Sequence, residues 1–273
     1  MRPVRLDGLA SSVVAVLVLA SGPAQPADLV RVGGTGMAIA AMRAVGEKVS
    51  AMTPPLTVEV LPSLGTPGGI KAMLAREIDI ALTARPLTAE ESAKGAREAS
   101  CATTALVFAT SHPTASAITR ARLASAYAEA TPKWDDGTPL KIILRSRASS
   151  EMPFLAKALP ELDSPFRAAY KRPGLPIGTT DQENAEIAER TLGSLAIITL
   201  LQLKAECLRL RVLALDGVSP SAETIADRSY PLPVRVCLVV SATPAPVATR
   251  FIDFVASATG QNLLRASGAE PSN

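Results

Sequence analysis

From Leu29 onward the chain alternates short apolar runs with amphipathic stretches, punctuated by glycine and proline. Leu29–Val32 predicts a strand, Gly33-Gly-Thr-Gly36 a turn, and Met37 to about Met52 a helix. Leu56–Leu61 alternates as a second strand, and Gly65-Thr-Pro-Gly-Gly69 leads into a helix over Ile70–Arg76. Ile78–Leu82 predicts a third strand and a helix follows from Thr88. Such alternation predicts βαβ units on a largely parallel sheet. Ala105–Thr110 then reads as strand, Ile118–Glu129 as helix and Trp134-Asp-Asp-Gly137 as a turn. Leu140–Leu144 opens what reads as a second lobe. It holds helices at Pro153–Leu159 and Ala185–Arg190, a Pro/Gly-rich loop at Lys171–Gly178 and a strand at Leu195–Leu200. The chain closes on an apolar strand, Val234–Val240, and an amphipathic helix around Phe251–Leu264, with Gly268 placed to cap the last turn and Pro271 to stop it.

The segment before Asp28 has a different pattern. Arg2 and Arg5 precede an apolar stretch from Leu9 to Ala20, and small residues run to Ala27. That is the layout of a secretory signal peptide over 1–27, and the apolar stretch is shorter than the roughly 20 residues a membrane span needs. The mature protein is therefore expected in the periplasm, with roughly 245 residues, enough for one large or two modest α/β lobes. Aromatics make up 3% of the chain, so the cores must be aliphatic. The net charge of +3 is scattered, with no basic stripe, which argues against nucleic acid as a partner. Of three cysteines, Cys207 and Cys237 are candidates for a bridge in an oxidising compartment; the alternative is that all three are small buried apolar groups. None has metal-ligand spacing and His112 is the single histidine, so neither a metal nor a cofactor is expected. His112 precedes Pro113 and no Ser or Cys has an evident base, so the chain does not read as an enzyme.

Several short segments together carry a family resemblance. Ser63-Leu-Gly-Thr-Pro-Gly-Gly69, Asp79-Ile-Ala-Leu-Thr-Ala-Arg-Pro-Leu87, Trp134-Asp-Asp-Gly-Thr-Pro with Ile142-Ile-Leu-Arg145, Gly193-Ser-Leu-Ala196 and Ser229-Tyr-Pro-Leu232 occur in that order. Their order and wording resemble the phosphate-binding-like periplasmic solute receptors, as does the closing helix with Gly260-Gln-Asn-Leu-Leu264. The resemblance implies a two-lobed α/β periplasmic-binding-protein fold, each lobe a mostly parallel sheet flanked by helices, with hinge strands between. On this pattern residues 28–112 and 227–273 form one lobe and 113–226 the other. It implies a non-enzymatic, monomeric receptor that captures a small oxyanion, phosphate or a relative, for the permease of an ABC transporter. The alternative is an envelope sensor or interaction protein, working with a membrane sensor, that keeps the fold without binding phosphate.

Anion capture needs oriented N–H donors, which a glycine-rich turn into a helix N-terminus supplies. Gly34, Thr35 and Gly36 form one such turn, readable also as a plain strand–helix turn. Thr66 stands at the family's serine position, and equally suits an N-cap before Pro67. Thr83, at a strand end, is a helper candidate. Arg145 suits a bidentate oxyanion partner or a surface ion pair. After it the family has "GSGT", whereas this chain has Ser146-Arg-Ala-Ser149-Ser150-Glu151. Ser149 and Ser150 retain donors, but the family's threonine has become Glu151, and its carboxylate after the third strand is Ala84. Glu151 either points to water at a helix start or marks a rebuilt site. Arg85 and Arg147 read as extra cations near the cleft, held in solvated ion pairs.

Overall fold

The computed structural model describes residues 28–53 and 55–272. The expected signal segment, 1–27, lies outside the described residues. Among the described residues the main sheet has nine strands, and its principal path runs Thr57–Val60, Leu29–Gly34, Ile80–Thr83, Pro233–Ser241, Ala96–Thr110, Ser194–Thr199, Lys141–Ile142. The Leu29–Gly34 strand pairs in parallel with both neighbours, as βαβ units require. Pro233–Ser241 enters antiparallel to Ile80–Thr83 and to Ala96–Thr110.

The strand Ala96–Thr110 ties the halves together. Its first part, Ala96–Ala105, pairs with Pro233–Ser241, and its last part, Leu106–Ala109, pairs with Ser194–Thr199. Sequence pattern predicts only Ala105–Thr110, because Arg97, Glu98 and Ser100 break the apolar run. Pairing with the apolar Val234–Val240 strand supplies what the local pattern lacks. Tyr230, fully buried, donates its hydroxyl hydrogen to Leu106 O at 3.0 Å and pins the returning chain at the crossover.

The period of two along these strands divides the core. Val30, Val32, Ile80 and Leu82 face the larger cluster, which also holds Leu238 and Phe251. Ala81, Cys101, Cys237 and Val239 face a smaller cluster under helix Gly65–Leu74, with Ile70 and Met73. Cys101 and Cys237 are cross-strand partners and form a disulfide. This corrects both sequence readings, the candidate Cys207–Cys237 bridge and the alternative of three buried thiols: Cys207 is free and exposed at the end of helix Leu200–Ala205.

The terminal helix is two helices, Pro246–Ala256 and Ala258–Ala266. Ser257 breaks them with an extended backbone and caps the second by accepting from Gly260 N. Both pack on helix Ile39–Met52. Gly268 lies at φ +81°, the left-handed stop the sequence predicts. Helices Asp163–Lys171, Leu200–Ala205 and Ala222–Ala226 escape the periodicity reading, the last two being single short turns. Among the described residues no helix is long and apolar enough to cross a membrane.

Candidate functional site

Strand Leu29–Gly34 ends at a turn that approaches the next strand closely. Gly34 has φ +141°, and a Cβ there would stand 2.2 Å from Leu82 O, so only glycine fits. Thr35 follows, buried, with its amide donating to Leu82 O at 2.9 Å. Helix Gly65–Leu74 starts beside it, and the Thr66 hydroxyl accepts from Ala84 N at 3.0 Å, which leaves its proton for donation elsewhere.

Arg145 comes from the other side of the cleft. The strand Leu144–Arg145 pairs with Ile177–Gly178, which sets the guanidinium against the start of helix Asp181–Arg190. Its Nε donates to Glu151, its Nη1 to Thr180 O, and its Nη2 to Asp181 Oδ1 at 3.0 Å. Arg145, Glu151 and Asp181 are all buried. One cation therefore faces two carboxylates. Burial works against the arginine charge, but Asp181 and Glu151 outweigh it and hold the pKa above the usual arginine range. Burial likewise pushes the Asp181 carboxyl up to about 6, against the pull of Arg145 and with help from Glu151.

Thr35, Thr66, Arg145, Ser149 and Ser150 line one cleft of about 300 Å³. Gly34 and Gly36 shape the turn around Thr35. Thr83 does not reach the cleft wall: it is fully buried, opposite Cys237 in the sheet, with its hydroxyl unpartnered. Glu151 does not point to water but sits on Arg145, and Arg145 is not on the surface. Asp181 and Gln182 were not legible as site residues, because Thr180-Asp-Gln-Glu183 reads as an ordinary capped helix start. Gln182 Nε2 donates to Gly36 O at 3.0 Å and so bridges the cleft. His112 has a structural role: Nδ1 accepts from Ala115 N at 3.1 Å, and Nε2 lies 3.0 Å from Asp136 Oδ2.

Three helices start at the cleft wall, Gly65–Leu74, Glu151–Ala158 and Asp181–Arg190. The first two have no side-chain cap, as is also true of Ile39–Met52, Asp163–Lys171 and Pro246–Ala256, whereas Thr180 caps the third by accepting from Glu183 N. Pro67 and Pro153 have no N–H and Met152 N donates to Ser149 O at 3.2 Å, so the first-turn amides open to a ligand are those of Gly65, Thr66 and Glu151, at the positive ends of the two helix dipoles. Such an arrangement can hold an anion without further chemistry.

The chain matches the profile of the PBP superfamily domain over residues 20–259. It is 28% identical over 212 residues to the phosphate-binding protein PstS of Borreliella burgdorferi, across 75% of this chain and 76% of that one. Its fold is similar to that of a Clostridium perfringens protein assigned as a phosphate ABC transporter substrate-binding protein and solved with bound phosphate. The TM-score is 0.73 at 17% identity, over 90% of this chain and 100% of that one. The periplasmic molybdate-binding protein of Azotobacter vinelandii is also similar, with TM-score 0.56 at 10% identity over 89% of this chain and 100% of that one. These likenesses are to two-lobed α/β binding proteins, and the profile match spans nearly the whole described chain: the protein belongs to the PBP superfamily.

Proposed function

We propose that the protein is an exported receptor that captures a phosphate-type oxyanion between its lobes and presents it to the permease of an ABC transporter. The observation that carries this reading is the convergence of three helix N-termini on one cleft, with the amides of Gly65, Thr66 and Glu151 open to a ligand and Arg145 in the wall. The kinship with PstS supports phosphate as the ligand class, while the likeness to a molybdate binder leaves the oxyanion to be argued from the site. The lobes are taken as 28–112 with 227–273, and 113–226. Thr35, Thr66 and Ser150 are assigned as ligand donors and Gly34 and Gly36 as the turn that admits it; Ser149, whose hydroxyl and amide both donate to Ser146 O, shapes the loop beside the ligand, and Thr83 stays inside the sheet.

The two carboxylates on Arg145 decide which oxyanion is favoured. A carboxylate about 4 Å from an anion costs around 4 kcal/mol per unit charge at an effective dielectric of 20. A ligand that carries a proton into the site lowers that cost and donates a hydrogen bond to a carboxylate. Monohydrogen phosphate meets the condition; sulfate and molybdate, fully ionised at neutral pH, do not.

A second reading has its own observation: the Arg145 guanidinium is already engaged by Glu151, Asp181 and Thr180 O. On that reading Glu151 takes the ligand's place and the protein is an envelope sensor or interaction protein. Titration calorimetry of residues 28–273 with phosphate, sulfate and molybdate separates the two. Binding of phosphate at least about tenfold tighter than sulfate, roughly 1.4 kcal/mol, is expected. No heat and no shift in melting temperature with any oxyanion rejects the receptor and leaves the sensor.

A further inference from the structure

The oxyanion cleft is the smaller part of the space between the lobes. A chamber of about 630 Å³ adjoins it and shares Pro67, Ser149, Ser150 and Glu151 as a common wall. Its remaining walls are largely apolar, with Met37, Pro153, Phe154 and Val234. A five-atom oxyanion seated by the helix N-termini would leave that space filled with water against apolar surface.

Three arginines stand at the chamber, and their partners distinguish them. Arg85 makes a two-point pair with Glu91, at 2.9 and 2.7 Å, and Arg235 pairs with Glu98 at 2.6 Å. Arg147 has no carboxylate partner among the described residues and lies 4.5 Å from the centroid of the Tyr170 ring, which holds it in place. It is the cation left over to meet a negative group beyond the phosphate position.

We infer that the ligand is an organic phosphate, a phosphate monoester or phosphonate with a compact organic substituent. Its phosphate group enters the Arg145 cleft, its substituent lies along Phe154 and Met37, and a second anionic group reaches Arg147. The inference rests on the oxyanion-receptor reading and specifies its substrate. Burying an apolar substituent adds affinity that inorganic phosphate cannot gain, about 25 cal/mol per Å² of apolar surface removed from water.

The test is a titration of residues 28–273 with inorganic phosphate, phenyl phosphate and 2-phosphoglycolate, with phenol and glycolate as controls. Both esters should bind at least about tenfold tighter than inorganic phosphate, and the controls should not bind. Phe154→Ala should remove most of the phenyl phosphate advantage and leave inorganic phosphate unchanged. Arg147→Ala should weaken 2-phosphoglycolate more than phenyl phosphate. Inorganic phosphate binding more tightly than both esters overturns the inference and leaves the receptor reading standing. Equal effects of Phe154→Ala on phosphate and ester overturn it too, because the substituent then lies elsewhere. If neither phosphate nor ester binds, the receptor reading itself falls and the inference with it.

Discussion

Glu151 and Arg145, six residues apart in the chain, form an ion pair closed to solvent, each side chain only 3% exposed. Breaking such a pair usually costs several kcal/mol because a buried charge is left alone. Here Asp181 holds the same guanidinium from the other side, so removing Glu151 leaves one cation and one carboxylate. Glu151→Thr should therefore fold. Its effect on binding is a balance of two magnitudes. The lost acceptor for a ligand proton is worth about 1.5–3 kcal/mol, and the relieved repulsion about 4 kcal/mol. Repulsion wins, and phosphate affinity should rise by around tenfold or more in a calorimetric titration. A fall in affinity would mean that Glu151 is the ligand's main proton acceptor.

Asp181 makes the stability of the fold depend on pH. Its carboxyl titrates at about 6 in the folded protein against a reference of 3.8, with burial the largest cause. The folded state thus holds the proton more tightly than the unfolded chain. The stability this contributes is fully present below the reference value and is lost as pH rises through about 6. Urea unfolding should show the protein more stable at pH 4.5 than at pH 7.5 from this group, by on the order of 1–3 kcal/mol. Asp181→Asn should remove that slope; an unchanged slope would place the responsible group elsewhere.

Much of the fold was legible because local and global signals agree. The strands at Leu29, Leu56 and Ile78 and the turns between them follow from apolar runs and glycines, and they make one edge of the sheet. The polar first half of Ala96–Thr110 was not legible, since its strand character comes from pairing with Pro233–Ser241 across a long sequence gap. The same distance hid the cysteine pairing. At the site, Arg145, Thr35, Thr66, Ser149 and Ser150 were individually readable and meet at one cleft. What no spacing rule conveys is that Asp181, 36 residues beyond Arg145, shares its guanidinium. Nor does any pattern reveal that Glu151 turns inward instead of toward water.

Gly36 should control closure of the cleft. A Cβ there would stand 2.5 Å from Asp181 Oδ2 and 2.6 Å from Gln182 Oε1, atoms of the opposite wall. Gly36→Ala should hold the two walls apart, break the Gln182–Gly36 hydrogen bond and weaken phosphate binding by about tenfold, since such a bond is worth on the order of 1 kcal/mol before the lost closure is added. The melting temperature should fall little, because the clash is between walls and not within a core. Gly34→Ala is a contrast: its Cβ would strike Leu82 backbone at 2.2 Å, and that variant should lose stability as well as binding. If Gly36→Ala binds phosphate like the parent, the contact between the walls is incidental to capture.

The Cys101–Cys237 disulfide closes a loop of 136 residues in sequence and joins two strands that also pair through their backbones. Loop-closure entropy for so long a loop predicts a stabilisation of about 4–5 kcal/mol, at the upper end of what native disulfides contribute. Pairing in the sheet is retained without the bond, so the chain should still fold after reduction, with a lower urea midpoint. Replacing both cysteines by alanine should give the same loss, and Cys207→Ser should change nothing, because Cys207 is exposed and unpaired. Thiol labelling of denatured, unreduced protein from the native host should modify Cys207 alone, and all three cysteines after reduction. Labelling at Cys101 or Cys237 without reduction would show that the bond does not form, and with it the oxidising destination expected from residues 1–27 would lose its support.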